Sequence, residues 1–139
     1  TLDMLHHRLT AGVRIRKDYD FKIPCIPCDP RALNQAWMNL MENALDAIGG
    51  NGELGIRTRL ETDRASVEVI DNGPGIPEKI RAHVFEPFFT TKPPGLGTGL
   101  GLDTVYRIVR QHNGDVTFDS QPGATKFRVR LPVRRQYGI

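Results

Sequence analysis

The sequence predicts an α+β domain. It is a two-layer α/β sandwich with a mixed, mostly antiparallel sheet of about five strands, covered on one face by about three helices. Three observations point there. Several short runs alternate apolar and polar residues, as in Glu53–Leu60 and Ala65–Ile70. Two longer runs, near residues 30–48 and 99–112, carry apolar residues at helical spacing. Strands and helices do not follow strict βαβ alternation, which disfavours an all-parallel sheet.

The elements follow in order. Val13 to Tyr19 alternates, with Val13, Ile15 and Lys17 against Arg14 and Arg16, and reads as a half-buried strand. Phe21 to Cys28 holds two prolines and reads as extended chain. Asp29-Pro30 is a helix start, with Asp as N-cap and Pro at the first helical position. That helix runs to Ile48 and stops at Gly49-Gly50-Asn51-Gly52. Its apolar face comprises Leu33, Ala36, Trp37, Leu40, Ala44, Ala47 and Ile48. Two strands form a hairpin next, with Leu54, Ile56, Thr58 and Leu60 on one face of the first. Asp71 to Pro77 is rich in turn residues, and a short helix follows to His83. Phe85 to Gly99 is a long loop; loops of that length serve as lids or binding loops. A second helix, Gly99 to His112, sets Leu102, Val105, Tyr106 and Val109 on one stripe. Gly114–Ser120 and Lys126–Leu131 are two more strands around a Gln121-Pro122-Gly123 turn.

At 139 residues the chain is one domain by size, able to bury roughly 68% of its unfolded surface. Hydrophobic residues are 39% and charged residues 25%, as in ordinary globular proteins. No apolar run approaches the roughly 20 residues that span a bilayer. The opening residues are polar, so no secretory signal is expected. A net charge of +3 is too small to argue for nucleic acid. Two cysteines make no disulfide framework, and reduced, cytoplasmic chemistry is the expectation. Cys25-Ile26-Pro27-Cys28 lacks the second pair of ligands that a zinc site needs and is read as structural. Lys126, Arg128 and Arg130 alternate with Phe127, Val129 and Leu131, and their row reads as a solvated sheet face.

The chemistry concentrates in three places. On the first helix Asn39, Glu42, Asn43 and Asp46 fall at i, i+3, i+4 and i+7, along one face. Asparagine is a poor helix-interior residue, because its side chain competes for the backbone. Oxygen donors on one face suit a hard cation such as Mg²⁺, although most amphipathic helices have a polar face of some kind. Asp71-Asn72-Gly73-Pro74-Gly75-Ile76 follows a strand directly. An ionised Asp71 is an acceptor suited to an exocyclic amine such as adenine N6, and Gly73 and Gly75 let a planar ring approach. The same residues also make a common turn. Gly95-Leu96-Gly97-Thr98-Gly99-Leu100-Gly101-Leu102 places four glycines at every second position, running into a helix. Exposed backbone N–H groups and a helix N-terminus suit phosphate, and a hinge role is compatible with that. It is neither a Walker loop nor a dinucleotide fingerprint. Between the loops lies Val84-Phe85-Glu86-Pro87-Phe88-Phe89-Thr90-Thr91-Lys92, whose phenylalanines would anchor one end of a lid.

Taken together and in order, these motifs closely resemble the catalytic and ATP-binding domain of two-component sensor histidine kinases. That domain is of the Bergerat fold, in the superfamily shared with gyrase-type ATPases. Asn39–Ala47 is similar to the family's N box, Asp71–Gly75 to its first glycine box and Phe85–Lys92 to its F box. Gly97–Leu102 is similar to its second glycine box, and Gly123-Ala124-Thr125 sits where its last glycine-threonine box lies. The resemblance runs from about Leu9 to Pro132. It implies a connecting segment at 1–8, the ATP-binding domain at 9–132 and a tail at 133–139.

By that resemblance Asn43 binds Mg²⁺ and Asn39 sits beside the phosphates. Glu42 and Lys92 join Asn39 as the residues serving transfer. Asp71 accepts from adenine, with Gly73, Gly75 and Ile76 around the ring and Thr125 in support. Asp46, Phe89, Thr90, Thr91, Gly97, Thr98, Gly99, Leu100, Gly101 and Leu102 complete the nucleotide site. The implied partners are ATP, an upstream dimerisation domain bearing the phospho-accepting histidine, and a response-regulator receiver. The isolated domain is expected to be a monomer. None of His6, His7, His83 and His112 lies in an acceptor-like pattern, so the chain reads as one domain of a longer protein. Four departures stand out. Asn39 replaces the water-activating Glu of the superfamily's hydrolases. Asp46 stands where a basic residue is common and Asp103 where a small hydroxyl residue is frequent. The last box is one residue short. A nucleotide-binding pseudokinase and a clamp-type ATPase are therefore the alternatives.

Overall fold

The computed structural model describes residues 13–20, 28–49, 52–86 and 101–133. Five strands form one sheet in the order β1-β2-β3-β5-β4. They are β1 (Val13–Asp18), β2 (Gly52–Leu60), β3 (Arg64–Asp71), β4 (Asp115–Gln121) and β5 (Ala124–Pro132). Only β1 and β2 run parallel; the other three pairings are antiparallel. Two α-helices, α1 (Pro30–Ile48) and α2 (Leu102–Gln111), and a 3₁₀ helix at Glu78–His83 complete the described chain.

The helix α1 begins and ends for the reasons its sequence supplies. Asp29 stays extended and its carboxylate accepts from the Arg31 and Ala32 N–H groups, while Pro30 takes the first helical position. At the other end Gly49 adopts φ 67° and donates its N–H to the Leu45 carbonyl, a left-handed C-cap. His112 then joins the ends of both helices. Its Nε2 accepts the Asp29 N–H at 2.9 Å, and its Nδ1 lies 2.8 Å from the Ile108 carbonyl. A carbonyl can only accept, so Nδ1 carries the proton and Nε2 is the acceptor.

The core lies between the helices and one face of the sheet. Alternate residues of β2, β3 and β5 point into it: Leu54, Ile56, Val69, Phe127, Val129 and Leu131 are all buried. The expected stripe on α1 is rotated. Met41 and Leu45 are buried, whereas Ala47 is exposed. The cause is that α1 packs against α2 as well as against the sheet, which widens the buried arc. On α2, Val105, Ile108 and Val109 are buried, but Tyr106 is 45% exposed. Its ring lies on Phe85, with centroids 5.7 Å apart, at the rim of an aromatic group that includes Phe118 and Phe127. Leu60 and Lys17 lie on the helix-facing side of their strands, opposite Ala65 and Ile56, but stand at strand ends and are exposed.

The opposite face of the sheet is charged. Glu68, at the centre of β3, is 4% exposed and meets Arg128 at 2.8 Å, Lys126 at 3.3 Å and Arg57 at 3.6 Å. Arg130 pairs with Glu61 at 3.7 Å. The basic row of β5 is thus engaged within the domain.

Candidate functional site

The strand register builds one side of the site. Leu54, Asp71, Thr125 and Ser120 lie opposite one another on successive strands, so their side chains share the helix-facing side of the sheet. Asp71, Thr125 and Ser120 are each at most 5% exposed. Ser120 Oγ and Thr125 Oγ1 are 2.7 Å apart, and Ser120 Oγ accepts the Ile76 N–H at 2.7 Å. Asp71 Oδ1 accepts the Gly73 N–H at 2.9 Å. Among the described residues no donor pairs with Oδ2. Burial, only partly offset by the Gly73 N–H, holds the Asp71 carboxyl above the ordinary carboxylate range. A buried acid with one oxygen satisfied is poised to accept from a ligand amine.

The loop after Asp71 is fixed from three sides. Gly75 has φ 92°, and a Cβ there would stand 2.8 Å from the Gln121 carbonyl oxygen. A Cβ on Gly73 would stand 2.8 Å from the Ala47 carbonyl oxygen of α1, and the Gly73 carbonyl accepts the Gly123 N–H. Both glycines are therefore required by the protein's own backbone, whatever ring they also admit. Arg81 closes the arrangement. Its Nε donates to the Ile76 carbonyl and its Nη2 to the Ser120 carbonyl, at 3.1 and 2.7 Å. Asn72 Oδ1 accepts the Glu53 N–H and caps the start of β2.

The second side of the site is the polar flank of α1. Asn39, Glu42 and Asn43 are half-buried there, and Asp46 is exposed. Because Ala47 meets Gly73, the C-terminal half of α1 borders the Asp71 loop. Asn39 has an unexpected contact. Its Nδ2 donates to the Gly101 carbonyl at 3.1 Å, and its Oδ1 accepts from Gln35 Nε2 at 2.7 Å. Gly101 is the N-cap of α2, which has no side-chain cap. The uncapped N–H groups at that end suit an anion, though Asp103 sits in the same turn.

The expected site residues thus divide into two groups. The fold brings Asp71, Gly73, Gly75, Ile76 and Thr125 together around one loop, and places Asn39, Glu42, Asn43 and Asp46 on α1. Gly101 lies at the start of α2, joined to Asn39, and Leu102 is half-buried. Phe89, Thr90, Thr91, Lys92, Gly97, Thr98, Gly99 and Leu100 lie outside the described residues. Ser120, Arg81 and Gln35 were not expected from the sequence; no local pattern distinguishes them from surface polar residues. A depression of about 350 Å³ also opens on the charged face of the sheet, over Gly55 between Arg16 and Ile70, on the side away from α1.

Residues 28–135 match the family described as histidine kinase-, DNA gyrase B- and HSP90-like ATPase. The chain belongs to this family. Among curated relatives it is 39% identical over 138 residues to the sensory histidine kinase/phosphatase NtrB of Salmonella typhimurium. That alignment covers 91% of the chain and 39% of NtrB, so the chain spans about two-fifths of that relative's length. Among solved structures, the mycobacterial sensor histidine kinase MprB superposes with a TM-score of 0.82 at 30% identity. The match covers 97% of this chain and 91% of that one. The histidine kinase ThkA, in complex with the response regulator TrrA, superposes with a TM-score of 0.76 at 25% identity, over 95% of this chain and 36% of that one. This is the two-layer sandwich of an ATPase domain of the histidine kinase type.

Proposed function

We propose that this chain is the catalytic module of a sensor histidine kinase. It binds Mg²⁺-ATP and presents the γ-phosphoryl group to a histidine on a separate dimerisation domain, from which a response regulator is charged. The module proper spans residues 9–132 and works in the cytoplasm. The observation that carries this reading is Asp71: a buried carboxyl with one oxygen taken by Gly73, facing the layer that holds the Asn-bearing flank of α1. The named relatives, sensor kinases of matching sequence and fold, support it.

The residues fit the groups required. Asn43 offers an amide oxygen on a half-buried helix face, the donor type that Mg²⁺ takes while keeping several waters. The bound ion would neutralise phosphate charge there. Asp71 accepts the adenine amine and excludes bases that present an acceptor in its place. Thr125 and Ser120 hold the ring-side loop through Ile76. The uncapped start of α2, with the glycine segment before it and Lys92, carries the polyphosphate. Transfer then rests on positioning and charge stabilisation. Independent hydrolysis is disfavoured, because the amide of Asn39 cannot take a proton from water as a carboxylate would.

Calorimetric titration with ATP, with and without Mg²⁺, tests the first step. Adding a helical histidine domain and assaying acid-labile phosphate tests the second. Absence of heat that ADP could displace refutes binding. Binding without phosphotransfer to any such domain favours the pseudokinase alternative.

A further inference from the structure

Gln35 stands one turn before Asn39 on α1, and together with Gly101 the two form a chain of hydrogen bonds whose direction can be worked out. The Gly101 oxygen is a backbone carbonyl and only accepts. The Asn39 atom 3.1 Å from it is therefore the amide nitrogen. That puts Asn39 Oδ1 on the other side, 2.7 Å from Gln35 Nε2, which must donate. The Asn39 nitrogen carries two hydrogens, and Gly101 takes one of them.

We propose that Gln35 is a positioning residue that fixes the polarity of the Asn39 amide. Asn39 then meets the polyphosphate as a hydrogen-bond donor, ties the start of α2 to α1, and leaves the metal to Asn43. The inference rests on the nucleotide-binding reading above. The chemistry separates the two asparagines. An amide oxygen already held by a donor is a poor metal ligand, whereas the remaining hydrogen of the nitrogen matches a phosphate oxygen. Without the Gln35 donor the Asn39 amide is held by the Gly101 carbonyl alone, and the flipped amide, which would oppose its oxygen to that carbonyl and to phosphate, is disfavoured by one contact and not two.

A double-mutant cycle on the 139-residue chain tests this, with affinities for ATP and for adenosine measured by calorimetry. Gln35→Met keeps side-chain length and helix preference but removes the donor. It should weaken ATP about threefold to tenfold, the worth of one neutral hydrogen bond, and leave adenosine within twofold. In an Asn39→Ala background the same change should cost nothing further. The proposal is overturned by an unchanged ATP affinity in Gln35→Met. It is equally overturned by equal losses for ATP and adenosine, or by the same loss in the Asn39→Ala background. Absence of ATP binding by the unmutated chain would overturn the nucleotide-binding reading along with it, so the two failures are distinguishable. As a readout independent of ligand, Gln35→Met should shift the Asn39 side-chain amide resonances of the free chain. Unmoved resonances count against the proposal.

Discussion

Asp71→Asn separates the proposed adenine-binding role of Asp71 from its structural one. The side chain is 3% exposed, and its Oδ1 accepts the Gly73 N–H at 2.9 Å. Asparagine is nearly isosteric and keeps that acceptor. It puts an NH₂ group where the second carboxylate oxygen was, so a donor faces the adenine amine, itself a donor. The loss is a hydrogen bond to a charged group, about 1.5–3 kcal/mol. That is roughly 10- to 150-fold in affinity for every adenine nucleotide. The fold should not suffer. Burial disfavours the ionised acid in the free domain, so the neutral amide leaves the melting temperature unchanged or raised.

The pH dependence follows from the same raised pKa. In the unfolded chain Asp71 titrates near 3.9. The folded group titrates higher, so the penalty of ionising it is absent at low pH and sets in as pH rises through the folded value. The free domain is therefore less stable above that window, and Asp71→Asn removes this contribution. Adenine favours the ionised carboxylate, so binding releases a proton and affinity rises with pH across the same window. Calorimetry with adenosine, which carries no phosphate to titrate, from pH 4 to 8 in buffers of different ionisation heat measures both quantities. Affinity within twofold of the unmutated chain, or a flat pH profile in the unmutated chain, would show that the carboxylate does not meet the base.

Three further outcomes are expected. Asp103 lies in the first turn of α2, and its Oδ1 is buried without a partner among the described residues. Asp103→Ser should tighten ATP severalfold more than adenosine, since it removes a like charge beside the phosphate end, and the difference should shrink in high salt. Gly75→Ala places a methyl 2.8 Å from the Gln121 carbonyl at a positive φ and should cost about 2–4 kcal/mol in urea unfolding. Burial alone would raise the Glu68 pKa, but the Arg128 hydrogen bond, with Lys126, outweighs it and holds the carboxyl below its usual range. Its contribution to stability is present above about pH 4.3 and is lost as pH falls through the lower folded value. Glu68→Ala, which strands three cations, should destabilise the domain by about 2–3 kcal/mol at pH 7, leave ADP affinity unchanged and flatten acid unfolding.

Elements fixed by local chemistry were legible from the residues. The Asp29-Pro30 start and the Gly49 stop define α1, and the alternation of β2, β3 and β5 defines the core face, because each depends on neighbours in sequence. The rotation of the α1 stripe toward Met41 and Leu45 depends on where α2 packs, which no local period encodes. The exposure of Tyr106 has the same origin: its ring finds Phe85, 21 residues earlier, at the rim. In the candidate site, Asp71, Gly73 and Gly75 stand out as a strand end followed by turn glycines. Ser120 and Arg81 do not, because their importance arises from register and from a clasp that closes only in three dimensions.

The glycines of the Asp71 loop show how far a motif and its cause can diverge. Read alone, Gly73 and Gly75 invite a ligand-centred account in which small residues make room for a base. In the fold each is also held against a carbonyl oxygen of the protein, Ala47 in one case and Gln121 in the other. These contacts bind the loop to the end of α1 and to the β4–β5 turn at once. Displacing either side shifts Asp71 Oδ1 through the Gly73 N–H. The proposed acceptor for the base and the helix bearing Asn39 and Asn43 are therefore joined through Ala47 and Gly73, just over one turn beyond Asn43. Under the proposed function, the adenine and phosphate ends of the site are coupled by packing. Substitutions at Gly73 should accordingly weaken ATP and adenosine together, whereas those at Gln35 or Asp103 act on ATP alone.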